Sequence, residues 1–262
     1  MSDTVLYEVD GAVATITINR PAARNALTAE TKVALLDALR TASAAADIRA
    51  VVLTGAGGAF CSGQDLREHA DLLAASGAAA LDTVRRHYNP IIETITGMPK
   101  PVVAALPGVA AGAGAGLAFA SDFRIAADRA SLLLAFARVG LGPDSGTSWT
   151  LQRLVGPAKA AELLMLAEPV DAPTALALGL VTSVVPAEEL AAAADAFARR
   201  LADGPTLAYA AIKEGLGFAA AHGLSESLEM EADLQARLGD SADHRAATQA
   251  FLARQAPVYQ GR

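Results

Sequence analysis

A chain of 262 residues, 53% of them apolar, carries enough hydrophobic side chains for one large domain, or for one domain with a small appendage. A formal charge of −7 excludes the extended basic surface that a phosphate backbone demands, so no nucleic-acid partner is expected. The single cysteine, Cys61, excludes a disulfide within the chain and points to a reducing compartment.

The polar, acidic stretch 1–10 has no apolar run, so the expected location is cytoplasmic. Residues 5–9 and 13–18 are rich in β-formers and flank Asp10-Gly11, which predicts a two-residue hairpin. Residues 19–27 read as a loop with two arginines, Arg20 and Arg24. Thr28 is the predicted N-cap of an amphipathic helix that runs to about Ser43. Residues 50–54 form a short buried strand closed by Gly55-Ala56-Gly57-Gly58, and 60–66 form a second glycine-containing turn. The segment 67–96 is predicted mostly helical, with 74–80 as a mobile connection.

Residues 102–106 read as another buried strand. The stretch 101–121 has no charged residue and is about as long as a membrane span. Pro101, Pro107 and four glycines divide it instead into strand, loop and helix start, so no membrane contact is expected. Short strands follow at 123–126 and 132–135. Helices dominate from Ala158 onward, with 181–185 the only late strand predicted. Further helices are expected at 187–201, 205–218, 224–238 and 244–254. Strands alternating with helices predict an α/β core over residues 1–200, followed by a helical region over 201–262.

The most informative stretch is 108–149. Gly112, Gly114 and Gly116 lead into a helical segment, so backbone N–H groups there can approach a ligand, and the helix end favours negative charge. Asp144 follows in Gly142-Pro143-Asp144-Ser145-Gly146. A carboxylate folded back on that helix start suggests chemistry on a carbonyl whose oxygen becomes an anion. As a local sequence, however, Pro-Asp-Ser-Gly is also an ordinary turn. Other motifs fail on spacing. Leu117 stands where a dinucleotide fingerprint needs glycine, and Gln64-Asp65 stand where a Walker loop needs Lys-Ser/Thr. Ser62 and Ser145 lack the preceding glycine of a nucleophile elbow. The four histidines show no metal spacing, so no metal is expected, and Cys61 reads as a packing residue.

Asn19-Arg20-Pro21 through Asn25-Ala26-Leu27, Val51-Val52-Leu53-Thr54-Gly55, Phe60-Cys61-Ser62-Gly63-Gln64-Asp65-Leu66 and Pro101-Val102-Val103-Ala104-Ala105 carry a resemblance to a known family. So do the runs 108–122 and 141–156 and the tail ending in Gly261-Arg262. Over nearly its whole length the chain resembles the crotonase (enoyl-CoA hydratase/isomerase) superfamily.

The resemblance implies an acyl-CoA enzyme built as a spiral of ββα units, with a C-terminal helical trimerisation region that forms homotrimers or dimers of trimers. It places an oxyanion hole at the backbone N–H groups of Gln64 and Ala113. Coenzyme A enters as part of the substrate thioester, with no separate cofactor. Arg24, Ala26, Ser62, Asp65, Leu66, Gly112 and Phe136 are the implied CoA and substrate contacts. Phe119 and Leu141 join Phe136 along the acyl pocket. The two glutamates of hydratases would fall at Gly116 and Phe136, neither of which can carry a proton. Asp144 is then the expected catalytic base, as in the similar isomerases of phenylacetate degradation. Water addition is the main alternative. A haloaryl-CoA dehalogenase using Asp144 as nucleophile and a non-catalytic CoA-binding homologue are the others.

Overall fold

The computed structural model describes residues 3–262. The opening hairpin pairs β1 (Val5–Asp10) with β2 (Val13–Ile18), Asp10 opposite Val13, and Gly11 takes the positive φ that its turn requires. Thr28 caps α1 (Ala29–Ala44) by accepting from the Thr31 N–H. From β2 onward the sheet is parallel: β2 pairs with β3 (Ala50–Gly55), β3 with β4 (Val102–Leu106), β4 with β6 (Phe123–Ala127), and β6 with β9 (Ser183–Val185). β4 is buried along its whole length, as a parallel strand covered on both faces must be. A second, three-stranded sheet runs β5 (Ala110–Ala111), β7 (Ser131–Leu133) and β8 (Val170–Asp171).

Between the strands lie α2 (Leu66–Ser76), α3 (Asn89–Gly97), α4 (Ala113–Ala120), α5 (Thr147–Leu166) and α6 (Ala172–Ala177). α5 is kinked at Gly156, whose backbone is non-helical, just before Pro157. All eight residues of α4 are buried. α7 (Leu190–Ala202) lies against β3, β4 and β6, and α8 (Thr206–Ala219), α9 (Leu224–Gly239) and α10 (Ala242–Leu252) close the chain.

The α/β expectation holds, with local differences. Residues 74–80 are not a simple connection: α2 runs to Ser76 and passes into a 3-10 helix, Gly77–Asp82. The strand expected at 132–135 is Ser131–Leu133, and β9 is shorter than expected. β8 was not expected at all. It is two residues long and exists because Val170 finds Leu132 across the second sheet, which no local pattern encodes.

This topology decides where a site can form. Because β2, β3 and β4 are parallel, their carboxyl ends share one side. The connections 19–28, 56–65 and 107–112 leave from that side together.

Candidate active site

The connections are fixed to one another by the backbone. The buried Asn25 accepts from the Arg20 N–H at 2.8 Å and donates to the Ala56 and Ala59 carbonyls at 2.9 and 2.8 Å. The Leu27 N–H donates to the Gly63 carbonyl at 2.8 Å, and the Asp65 N–H to the Leu27 carbonyl at 3.1 Å. The Ala111 N–H donates to the Cys61 carbonyl at 2.8 Å. Gly63 has φ +86°, and a Cβ there would stand 2.8 Å from the Ala111 oxygen and 3.4 Å from the Ala113 nitrogen. A glycine is therefore what lets the turn carrying Gln64 press against the start of α4.

That contact brings two donors side by side. Among the described residues, neither the Gln64 N–H nor the Ala113 N–H has an acceptor within the chain. Ala113 is the first residue of α4, where an N–H has no intrahelical partner and the helix end favours negative charge. Both residues line a cavity of about 440 Å³, together with Ser62, Leu66, Tyr88, Gly112, Phe136, Val139, Leu141 and Asp144. The walls are mainly apolar, and Leu66, Val139 and Leu141 are exposed at the rim.

Asp144 is half-buried, and the Ser145 hydroxyl donates to its Oδ1 at 2.9 Å. Burial pushes the carboxyl above its ordinary range; the Ser145 bond and the Lys32 charge oppose that push. Ser145 is buried with φ +52°. A Cβ on Gly116 would meet the Ser145 Cβ at 2.6 Å and the Thr147 Oγ1 at 3.0 Å. The space beside Gly116 is therefore filled by the turn that delivers Asp144.

Eight of the expected site residues, Ser62, Gln64, Leu66, Gly112, Ala113, Phe136, Leu141 and Asp144, meet at this cavity. Arg24, Ala26 and Asp65 lie outside it. Arg24 is exposed beside the turn, its carbonyl accepting from the Ser62 N–H. Ala26 is buried, and its carbonyl accepts from Arg20. The Asp65 carboxylate caps α2 and pairs with Arg20 at 2.8 Å, which holds it below the usual carboxylate range. Phe119 is a correction: it is 4% exposed and does not line the cavity, because it packs in the hydrophobic core. Cys61 is buried, its thiol pushed up to about 12 by desolvation, so packing is its role.

Sequence reasoning missed the polar cluster behind Gln64. Lys32 donates to the Gln64 Oε1 at 3.0 Å and to the Thr83 Oγ1 at 2.7 Å, and the Tyr88 hydroxyl donates to the same Gln64 oxygen at 2.7 Å. A signal existed. Lys32 stands three residues before Leu35 and seven before Leu39, on the buried stripe of α1.

Residues 8–262 match the family of enoyl-CoA hydratases and isomerases. The chain belongs to that family. It is 43% identical over 259 residues to a Rhodobacter capsulatus protein named "Probable enoyl-CoA hydratase", covering 99% of this chain and 98% of the relative. It is 38% identical over 263 residues to the 1,2-epoxyphenylacetyl-CoA isomerase of Escherichia coli, covering 100% of each. The crystal structure of an enoyl-CoA hydratase from Polaromonas matches with a TM-score of 0.92 at 35% identity, over 98% of this chain and 99% of that one. The resemblance to the crotonase superfamily thus holds in sequence and in fold. Relatives named for both reactions match along the full chain, so the family alone does not select between hydration and isomerisation.

Proposed function

We propose that this hydratase/isomerase family member is an enoyl-CoA double-bond isomerase in which Asp144 carries the proton. A thioester α-proton is weakly acidic, and its removal leaves charge on the carbonyl oxygen. Two preorganised N–H donors lower the cost of that enolate by roughly 3 kcal/mol or more each. Gln64 and Ala113 are those donors in this reading. The ionised Asp144 takes a proton from C2 or C4 of the enoyl chain, the electron pair moves onto the thioester oxygen, and the same carboxyl returns the proton at the other carbon. No proton is gained or lost overall. The observation that carries the reading is the placement of Asp144 on the cavity that holds both free amides; Gly116 and Phe136 stand where the family resemblance puts the two hydratase glutamates.

The substrate is an acyl-CoA thioester. Arg24 supports contact with a CoA phosphate, since it is exposed beside the 62–66 turn. The relative named 1,2-epoxyphenylacetyl-CoA isomerase makes aromatic-acid thioesters candidates beside linear enoyl chains. A homotrimer or a dimer of trimers is the proposed assembly, supported by exposed Ile212, Leu216, Leu224 and Leu228 on α8 and α9.

The test is Asp144→Asn. Isomerisation of 3-enoyl-CoA is expected to fall at least ~100-fold while CoA binding and the melting transition persist. Activity within about threefold of the parent rejects the role. Crotonyl-CoA hydration, followed by ultraviolet absorbance, tests the rival reaction on the same protein. Hydration faster than isomerisation would favour a carboxylate that activates water.

A further inference from the structure

Lys32 is 1% exposed, and none of the ion pairs among the described residues includes it. Its ammonium meets only neutral acceptors, the Gln64 Oε1 and the Thr83 Oγ1, and sits 5.0 Å from the Tyr88 ring centroid. Burying a cation this way is expensive, and a methionine would fill the same volume without that cost. Glu68, Asp144 and Asp65 balance the charge only through space, since none of them pairs with it directly. Of the three only Asp144 lines the cavity, and Lys32 is hydrogen-bonded to the side chain of the residue whose N–H would receive the enolate.

The charged and titratable groups around Lys32 are Asp65 and Glu68 at the start of α2, His87 and Tyr88 from the segment before α3, and Asp144 from the turn before α5. His87 Nδ1 lies 3.0 Å from the same Thr83 hydroxyl that Lys32 contacts. Burial lowers the ammonium's proton affinity, and Glu68, Asp144 and Asp65 hold it up. Lys32 in turn draws Asp144 toward its ionised form. Lys32 does not itself line the cavity; Gln64, Thr83 and Tyr88 stand between.

We propose that Lys32 is a positioning residue for proton transfer: its ammonium fixes the Gln64 side chain and supplies a constant positive charge that offsets the negative charge as it moves from Asp144 to the enolate oxygen. The inference rests on the reading of Asp144 and Gln64 above. When Asp144 takes the proton it becomes neutral and the thioester oxygen becomes the anion. One negative charge therefore stays in the cavity at each step, and one buried cation serves both states.

The test compares Lys32→Met, which keeps volume and removes charge, with Lys32→Gln, which keeps a donor without charge. Two quantities are read on the full-length protein: the titration midpoint of the Asp144 carboxyl by carbon-13 NMR, and kcat with KM for isomerisation. Both variants are expected to raise the Asp144 midpoint and to lower kcat ~10–100-fold with KM within about threefold. An unmoved midpoint in the folded Met variant overturns the proposal, whatever happens to kcat. If the Met variant fails to fold, an unmoved midpoint in the Gln variant overturns it equally. Should the parent turn over no enoyl-CoA isomer while the midpoint still moves, the isomerase reading fails and the charge assignment stands.

Discussion

At the scale of single residues, the chemistry depends on how much it costs to ionise Asp144. Its folded carboxyl titrates above the ordinary value because burial penalises the charged form. A raised carboxyl contributes stability that is fully present below the unfolded value and is lost as pH rises through the folded value. Above the folded value the ionised group therefore costs folding stability, and there Asp144→Asn is expected to melt above the parent. That difference should shrink as pH falls through the folded value and vanish below about pH 4, where the unfolded carboxyl also holds its proton. Calorimetry across pH checks it. Ser145→Ala removes a hydrogen bond that favours the carboxylate, so the acid limb of kcat/KM should move to higher pH. A pH–rate profile of the two proteins decides this. Asp144 could be read in advance only through the family resemblance, because its local sequence by itself favours an ordinary turn. What distinguishes it is Gly116, 28 positions away, which leaves room for the Ser145 turn.

Elements carry the next layer. The 60–66 turn and the start of α4 were legible as glycine-rich segments, because glycine marks backbone that must approach something closely. The partner of each approach was not legible. Gly63 proves to face Ala111 and Ala113, and this contact places the two free amides at one cavity. Gly63→Ala combines a positive φ with a backbone contact that cannot yield, so about 2 kcal/mol or more of stability is expected to be lost. Isomerisation should fall further than the melting temperature suggests, because the donors separate. Paired urea melts and initial rates measure the two losses. The α1 stripe shows the opposite case. Its period placed Lys32 inside, yet a lysine among apolar positions reads as an exception until Gln64, Thr83 and Tyr88 are seen around it.

For the molecule as a whole, the C-terminal helices are tied to the core by a few polar contacts. Lys213 on α8 reaches Asp122 at 2.7 Å and also donates to the Ile95 and Lys100 carbonyls. The same Asp122 oxygen accepts from the Val102 N–H at the start of β4. Lys213→Met leaves a partly buried carboxylate without its cation, and a loss of about 3 kcal/mol is expected in equilibrium unfolding. The chain end is held likewise, with the buried Asp243 accepting from the Gln260 and Gly261 N–H groups at 2.6 and 2.9 Å. The sequence by itself determined the order of the main strands and helices, though not the short strands β5 and β8, together with the family and the residue types able to do the chemistry. These follow from hydrophobic period, turn residues and local motifs, which act over a few positions. Only the tertiary structure decided that Gln64, Ala113 and Asp144 share one cavity, that Phe119 lies in the core outside it, and that a buried ammonium stands behind it. Those facts depend on side chains far apart along the chain meeting in a low-dielectric interior, where neighbours rather than sequence position set the energy of a charge.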